Sequence, residues 1–226
     1  NLAWAFATLR ERDEPLLEAM SEAAQAMIRK HDFKVRGLAN LAWSFASLSF
    51  RDATCLEAMS AEAIQTIRGA APRDLASIAW SWATLAVDDD EPLLEAIAEA
   101  AIARSGEFNE QDVANTAWAY ASLMVADVPL MNALAAAAMP SMRDFSLTQL
   151  ANTAWAFAAL AVCEEPLLAA ISAASIATLS APEDADPGAW SHSAVLGLAH
   201  AFAVLQRKDS PVLDAASGAL RRRGAA

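Results

Sequence analysis

Nine residues recur along this chain in one fixed order of large, small and polar positions. They read Asn1-Leu2-Ala3-Trp4-Ala5-Phe6-Ala7-Thr8-Leu9, then Asn40-Leu41-Ala42-Trp43-Ser44-Phe45-Ala46-Ser47-Leu48. Further copies are centred on Trp80, Trp118 and Trp155, and a sixth has His200 in the tryptophan place. The centres are 39, 37, 38, 37 and 45 residues apart, a period that belongs to stacked helical repeats. On a helix turning about 100° per residue, Leu2, Phe6 and Leu9 share a large apolar face. Ala3 and Ala7 form a small face that admits a neighbouring backbone, and Trp4 points to a third side. The remaining narrow stripe is Asn1, Ala5 and Thr8. It continues as Asn40, Ser44 and Ser47; as Ser77, Ser81 and Thr84; as Asn115, Ala119 and Ser122; and as Asn152, Ala156 and Ala159.

The phrase sits inside a larger unit. Asn109-Glu110-Gln111-Asp112 offers an N-cap and an acidic first turn, and Ser146-Leu147-Thr148-Gln149 is a capping-box pattern. A helix is predicted from Asn109 to about Met124. The acidic break Ala126-Asp127-Val128-Pro129 follows, with proline in the first turn of a second helix. Pro15, Pro92, Pro166 and Pro211 hold the same place. Leu130, Leu134 and Ala137-Ala138 carry this second helix up to Pro140. Each unit therefore reads as a buried helix A, a short turn, and a helix B with a wetter face, marked by Glu18, Glu22, Glu95 and Glu99. The predicted fold class is all-α: a right-handed α-solenoid of about six helix-turn-helix repeats of ~38 residues. It is expected to form one body over residues 1–226, with an acidic insertion loop at 181–192. Because the chain opens on the first residue of the phrase, flanking sequence is expected upstream of Asn1.

Composition supports helices: 56% of residues are hydrophobic, with seven glycines and nine prolines. Tryptophans at one fixed position between alanines are expected in the core, covering Trp4, Trp43, Trp80, Trp118 and Trp155. Trp190, in the insertion, is expected to anchor that loop or meet a partner. Cys55 and Cys163 show no CxxC spacing and are expected to be two buried thiols. The charge-free stretch from Phe145 to Cys163 coincides with a repeat helix and is rich in Ser, Thr, Gln and Asn, so no membrane span is expected.

Net charge is −12, which opposes non-specific binding to nucleic acid. The charge is not spread evenly. Acids gather at the turns from A to B: Asp13, Glu14, Asp52, Asp88 to Glu91, Asp127, Glu164, Glu165 and Asp209. Bases gather at the other end of the units, at Lys30, Lys34, Arg36, Arg68 and Arg73, then thinly at Arg104 and Arg143, and again at Arg221 to Arg223. Helix macrodipoles alone account for this polarity. A phosphate track would have to use the first group. The polar stripe has two uses as well. Asn40, Ser44, Ser47, Ser77, Ser81, Thr84, Asn115, Ser122 and Asn152 could line a binding groove for RNA or a protein partner. The asparagines could instead bond neighbouring backbone between repeats.

Catalytic signatures are missing. His31, His192 and His200 make no metal-ligand spacing, and no phosphate loop, nucleophile elbow or HExxH pattern occurs. His200, in a tryptophan place, is expected to pack in the core. The expectation is a non-enzymatic protein with no cofactor, no metal and no small-molecule substrate.

Phe145 to Leu160 and Phe108 to Leu123, followed by Pro166-Leu167-Leu168 and Pro129-Leu130-Met131, resemble the octotricopeptide repeat over nearly the whole chain. Gly197 and His200 depart from the phrase, as at an array end or a worn repeat. The resemblance implies an α-solenoid of a chloroplast or mitochondrion. It implies a protein that binds single-stranded RNA in support of maturation, stability or translation, or one that serves as a scaffold subunit of a large organellar assembly.

Overall fold

In the computed structural model, which describes residues 2–180, 191–205 and 210–224, the regular structure is entirely helical. The helices are α1 (Leu2–Leu9), α2 (Glu14–Ile28), α3 (Val35–Ser47), α4 (Ala53–Thr66), α5 (Pro72–Thr84), α6 (Glu91–Ala103), α7 (Glu110–Ser122), α8 (Val128–Ala138), α9 (Leu147–Ala159), α10 (Glu165–Ser180), α11 (His192–Val204) and α12 (Pro211–Gly224). Odd-numbered helices carry the phrase and correspond to helix A; even-numbered helices correspond to helix B. The expected insertion lies almost wholly outside the described residues, as do Asn1, Trp190 and Asp209. Its last two residues are already part of a helix, Ser191 as the N-cap of α11 and His192 as its first residue.

Chain contacts group into two units, Asn1–Arg104 and Ser105–Ala226. In the first, α3 packs on α1 and α5, while α4 packs on α2 and α6. In the second, α9 packs on α7 and α11, and α10 packs on α8 and α12. Both units thus have one layer of A helices and one layer of B helices.

The sixth residue of the phrase fills the space between layers: Phe45, Trp82, Tyr120, Phe157 and Phe202 are all essentially inaccessible. The second and ninth residues join it where both flanks are covered, as Leu41, Leu48, Ile78 and Leu85 show. In α1, which lacks a neighbour on one side among the described residues, the equivalent Leu2 and Leu9 are 55% and 70% exposed. Phe45 also meets Phe50 edge to face, with ring centroids 4.9 Å apart.

The helix ends explain much of the charge. Asp13, Asp52 and Asp127 each accept a hydrogen bond from a backbone N–H in the first turn of a B helix (Leu16, Cys55 and Leu130). Asp52 also accepts from Ser21 Oγ at 2.6 Å, tying α4 to α2. At the opposite ends, Arg104 donates to the Ala70 carbonyl and Arg222 to the Leu179 carbonyl, each at 2.7 Å. Both arginines stabilise the C-terminal end of the preceding B-layer helix, as the macrodipole favours. The anticipated N-cap Asn109 forms a capping box with Asp112, and the anticipated box at Ser146 with Gln149 is present.

Five A helices end in the same way, on a residue with positive φ that is not glycine: Arg10, Ser49, Ala86, Met124 and Ala161, at 52° to 57°. Around Ala86, Val87 N–H donates to Trp82 O and Ala86 N–H to Ala83 O, and the other four ends repeat this pairing. It is a Schellman turn, which normally takes glycine at that position because a Cβ crowds the left-handed conformation. Ala86 and Ala161 are exposed, so nothing is lost with their methyl groups. Ala86→Gly and Ala161→Gly should each stabilise the chain by about 0.5–1 kcal/mol in urea unfolding, whereas Ala83→Gly, inside α5, should destabilise it by about 1 kcal/mol.

Candidate nucleic-acid interface

Helix A was expected to bury its tryptophan and to expose the first, fifth and eighth residues of the phrase. The exposed set is instead the first, fourth and eighth. Trp43, Trp80, Trp118 and Trp155 are partly exposed, Trp4 is 48% exposed, and His200 is exposed rather than packed in the core. Ser44 and Ser81 are fully buried. Their hydroxyls donate to carbonyls of their own helices, Asn40 O at 2.7 Å and Ser77 O at 2.6 Å, so they leave the groove set.

Size separates the two positions. The fifth residue is alanine or serine in all six copies and is buried in five of them, whereas the larger indole one position earlier is only partly covered, as amphipathic aromatics often are. The signal for this was available: the sixth copy loses its tryptophan to His200 but keeps Phe202. The aromatic that the core requires is the sixth residue.

Continuing the exposed face one turn back adds the residue four before the phrase, so each helix shows a row at i, i+4, i+7 and i+11. In the first unit these rows are Arg36-Asn40-Trp43-Ser47 on α3 and Arg73-Ser77-Trp80-Thr84 on α5. In the second they are Gln111-Asn115-Trp118-Ser122 on α7, Thr148-Asn152-Trp155-Ala159 on α9 and Ser193-Gly197-His200-Val204 on α11. Although the chain has 28 Asp and Glu residues, none occupies any of these positions. The side chains of Asn40, Asn115 and Asn152 have no hydrogen-bond partner among the described residues, which leaves their amides available and does not support a bridge between repeats. Ser47 and Thr84 are exposed, and Ser77 and Ser122 are partly so.

The five basic candidates divide. All are exposed, but Arg36 and Arg73 belong to the rows just described, whereas Lys30 follows α2, Lys34 precedes α3 and Arg68 lies in the turn after α4. Arg36 Nε stands 3.8 Å from Oδ1 of the buried Asp74, a long pair whose arginine is exposed. Two cations at the other end of the rows were missed in the sequence because acids surround them: Arg10 and Arg12, which line a cleft with Trp43. Arg12 is held by Glu14 at 3.1 Å, and this contact raises its pKa.

Among the described residues no cluster of His, Cys, Asp and Glu could hold a metal ion, and no helix is long and apolar enough to cross a membrane. His31 Nδ1 lies 3.0 Å from Oε2 of the buried Glu62 at the end of α2, away from the rows. Both cysteines are free, but only Cys55 is buried; Cys163 is exposed at the turn before α10, contrary to expectation. Burial pushes the Cys55 thiol up, with a weak contact to Ser21 opposing and the Asp52 charge adding to the rise. Compared with protein-family models and with curated proteins, the chain matches none.

Two outcomes follow. Phe45→Ala, at a fully buried ring, should cost about 3–5 kcal/mol of stability, and Trp43→Ala less, about 2–3 kcal/mol, measured by denaturant unfolding, because that indole is partly exposed. In native protein, iodoacetamide should alkylate Cys163 and spare Cys55 at neutral pH, with both reacting once urea unfolds the chain; mass spectrometry of the peptides distinguishes them.

Proposed function

We propose that the chain is a non-catalytic helical-repeat module that binds single-stranded RNA along the exposed face of its A helices. The observation that carries this is a row of partly exposed indoles flanked by amides and hydroxyls, at helix positions none of which is Asp or Glu. Indole rings stack on unpaired bases of any sequence, at about 1–3 kcal/mol per base. Side-by-side helices lie about 8–10 Å apart, so successive repeats would offer one platform per base. Asn and Ser side chains beside each platform supply donors and acceptors for base edges. Phosphate contacts come from the first unit, where Arg36 and Arg73 start the rows; in the second, neutral Gln111, Thr148 and Ser193 stand there. Lys30, Lys34 and Arg68 add long-range attraction. In this proposal the A and B layers continue as a right-handed α-solenoid. The resemblance to octotricopeptide repeats supports both that architecture and a site of action in a chloroplast or mitochondrion.

A second role, as a scaffold subunit of an organellar assembly, is favoured by the net charge of −12 and by Ile64 and Ile102. These two side chains take equivalent places on α4 and α6 and are more than one-third exposed. Titration of a 12-nucleotide oligouridylate at several salt concentrations separates the two. RNA binding predicts affinity that falls by about 0.7 log units per log unit of salt for each phosphate contact. Trp80→Ala should weaken it about 5- to 100-fold, and Arg36→Glu with Arg73→Glu should abolish it without unfolding the protein. Absence of binding at low salt would leave the scaffold role.

A further inference from the structure

A cleft of about 630 Å³ opens between the C-terminal ends of α1 and α3, within the size range of small-molecule sites. Thr8, Arg10, Arg12, Trp43, Ser47 and Ser49 line it. The lining therefore holds an indole, two guanidinium groups and three hydroxyls, of which Thr8 Oγ1 donates to Trp4 O at 2.8 Å and can still accept. Glu11, Asp13 and Glu14 occupy the same turn, but none lines the cleft. Asp13 is committed to the N-terminus of α2, and Glu14 to Arg12. Arg10 is exposed and forms no ion pair among the described residues. Its backbone is fixed in the left-handed Schellman position at φ 57°, which sets where the side chain leaves the helix end. An aromatic plane, hydroxyl groups and a free cation at one opening match the base, sugar and phosphate of a nucleotide.

We propose that this cleft is a nucleoside-phosphate site: the base lies on Trp43, the ribose meets Thr8 and Ser47, and the phosphate is taken by Arg10 with Arg12. It rests on the assignment of the indole face to RNA. The same chemistry would accept a free nucleotide, so the test separates the two sources. The corresponding positions elsewhere lack the pair of cations: Ser49 with Arg51 and Gln206 with Lys208 keep one, and Ala86 with Asp88, Met124 with Ala126, and Ala161 with Cys163 keep none. The first repeat would therefore hold one end of a bound strand more firmly than later repeats hold their nucleotides.

The test uses the whole chain and three probes: uridine, uridine 5′-monophosphate and the 12-nucleotide oligouridylate. Arg10→Gly removes the cation while suiting the left-handed backbone, so the variant should fold at least as well as the parent, checked by circular dichroism. By ligand-observed NMR, uridine 5′-monophosphate should bind about 10-fold more tightly than uridine, and Arg10→Gly should erase that difference. The same variant should lower the salt slope for the oligonucleotide by about 0.7. Trp43→Ala should abolish binding of both small probes, whereas Trp80→Ala, outside the cleft, should weaken only the oligonucleotide. Equal binding of uridine and its monophosphate, or no effect of Arg10→Gly on any probe, overturns the site. If the oligonucleotide binds with those results, the cleft is lost and the RNA face survives. If the monophosphate binds through Arg10 and the oligonucleotide does not, the cleft stands as a free-nucleotide site and the RNA face is lost. Failure of every probe removes both.

Discussion

The A helices pack side by side with small residues buried along them, and the fifth residue of the phrase is never larger than serine. Ser44, Ser81, Ala119, Ala156 and Ala201 are all buried. Protein interiors pack at crystal-like density, so where small side chains are buried the larger ones must find room elsewhere. The sixth residue turns into the space between layers and supplies the large core aromatic. The fourth carries an indole that is only partly covered. Serine is tolerated beside alanine because its hydroxyl bonds back to its own helix and leaves no unpaired donor. Fold and candidate surface therefore have one origin.

Electrostatics follow from the same geometry. A chain with a net charge of −12 is a poor partner for phosphate if its charge is smeared over the surface. Here several acids are bound into helix N-termini at the turns, where their carboxylates accept hydrogen bonds from backbone N–H groups. Arginines at the other ends complete carbonyls. The rows between these ends carry no Asp or Glu and, in the first unit, begin with arginine. Overall charge and local charge point to different partners, and the local distribution decides what touches a ligand.

Much of the fold was legible in the sequence. The period, the caps at Asn109 and Ser146, the proline at the start of B helices and the acidic turns are local properties, and each stands where the pattern put it. The orientation of helix A was less legible, by about one residue. Tryptophan between alanines looks like a core residue when hydrophobicity alone is counted. Whether the alanines make room for the indole or for a neighbouring helix depends on packing that no single repeat contains. Phe202, kept where the tryptophan is not, held the clue. Cys163 escaped for a similar reason, since its exposure depends on how the turn before α10 sits rather than on its neighbours in sequence. Arg10 and Arg12 were hidden among acids that the structure assigns to other tasks.

Hydroxyl-radical footprinting of the whole chain, with and without oligouridylate, tests the central claim most directly. In free protein, Trp43, Trp80, Trp118 and Trp155 should be oxidised while Trp82 stays protected, and RNA should then shield Trp43 and Trp80. Oxidation of Trp82 as fast as Trp80, or indoles at the fourth position that resist the radical in free protein, would contradict it.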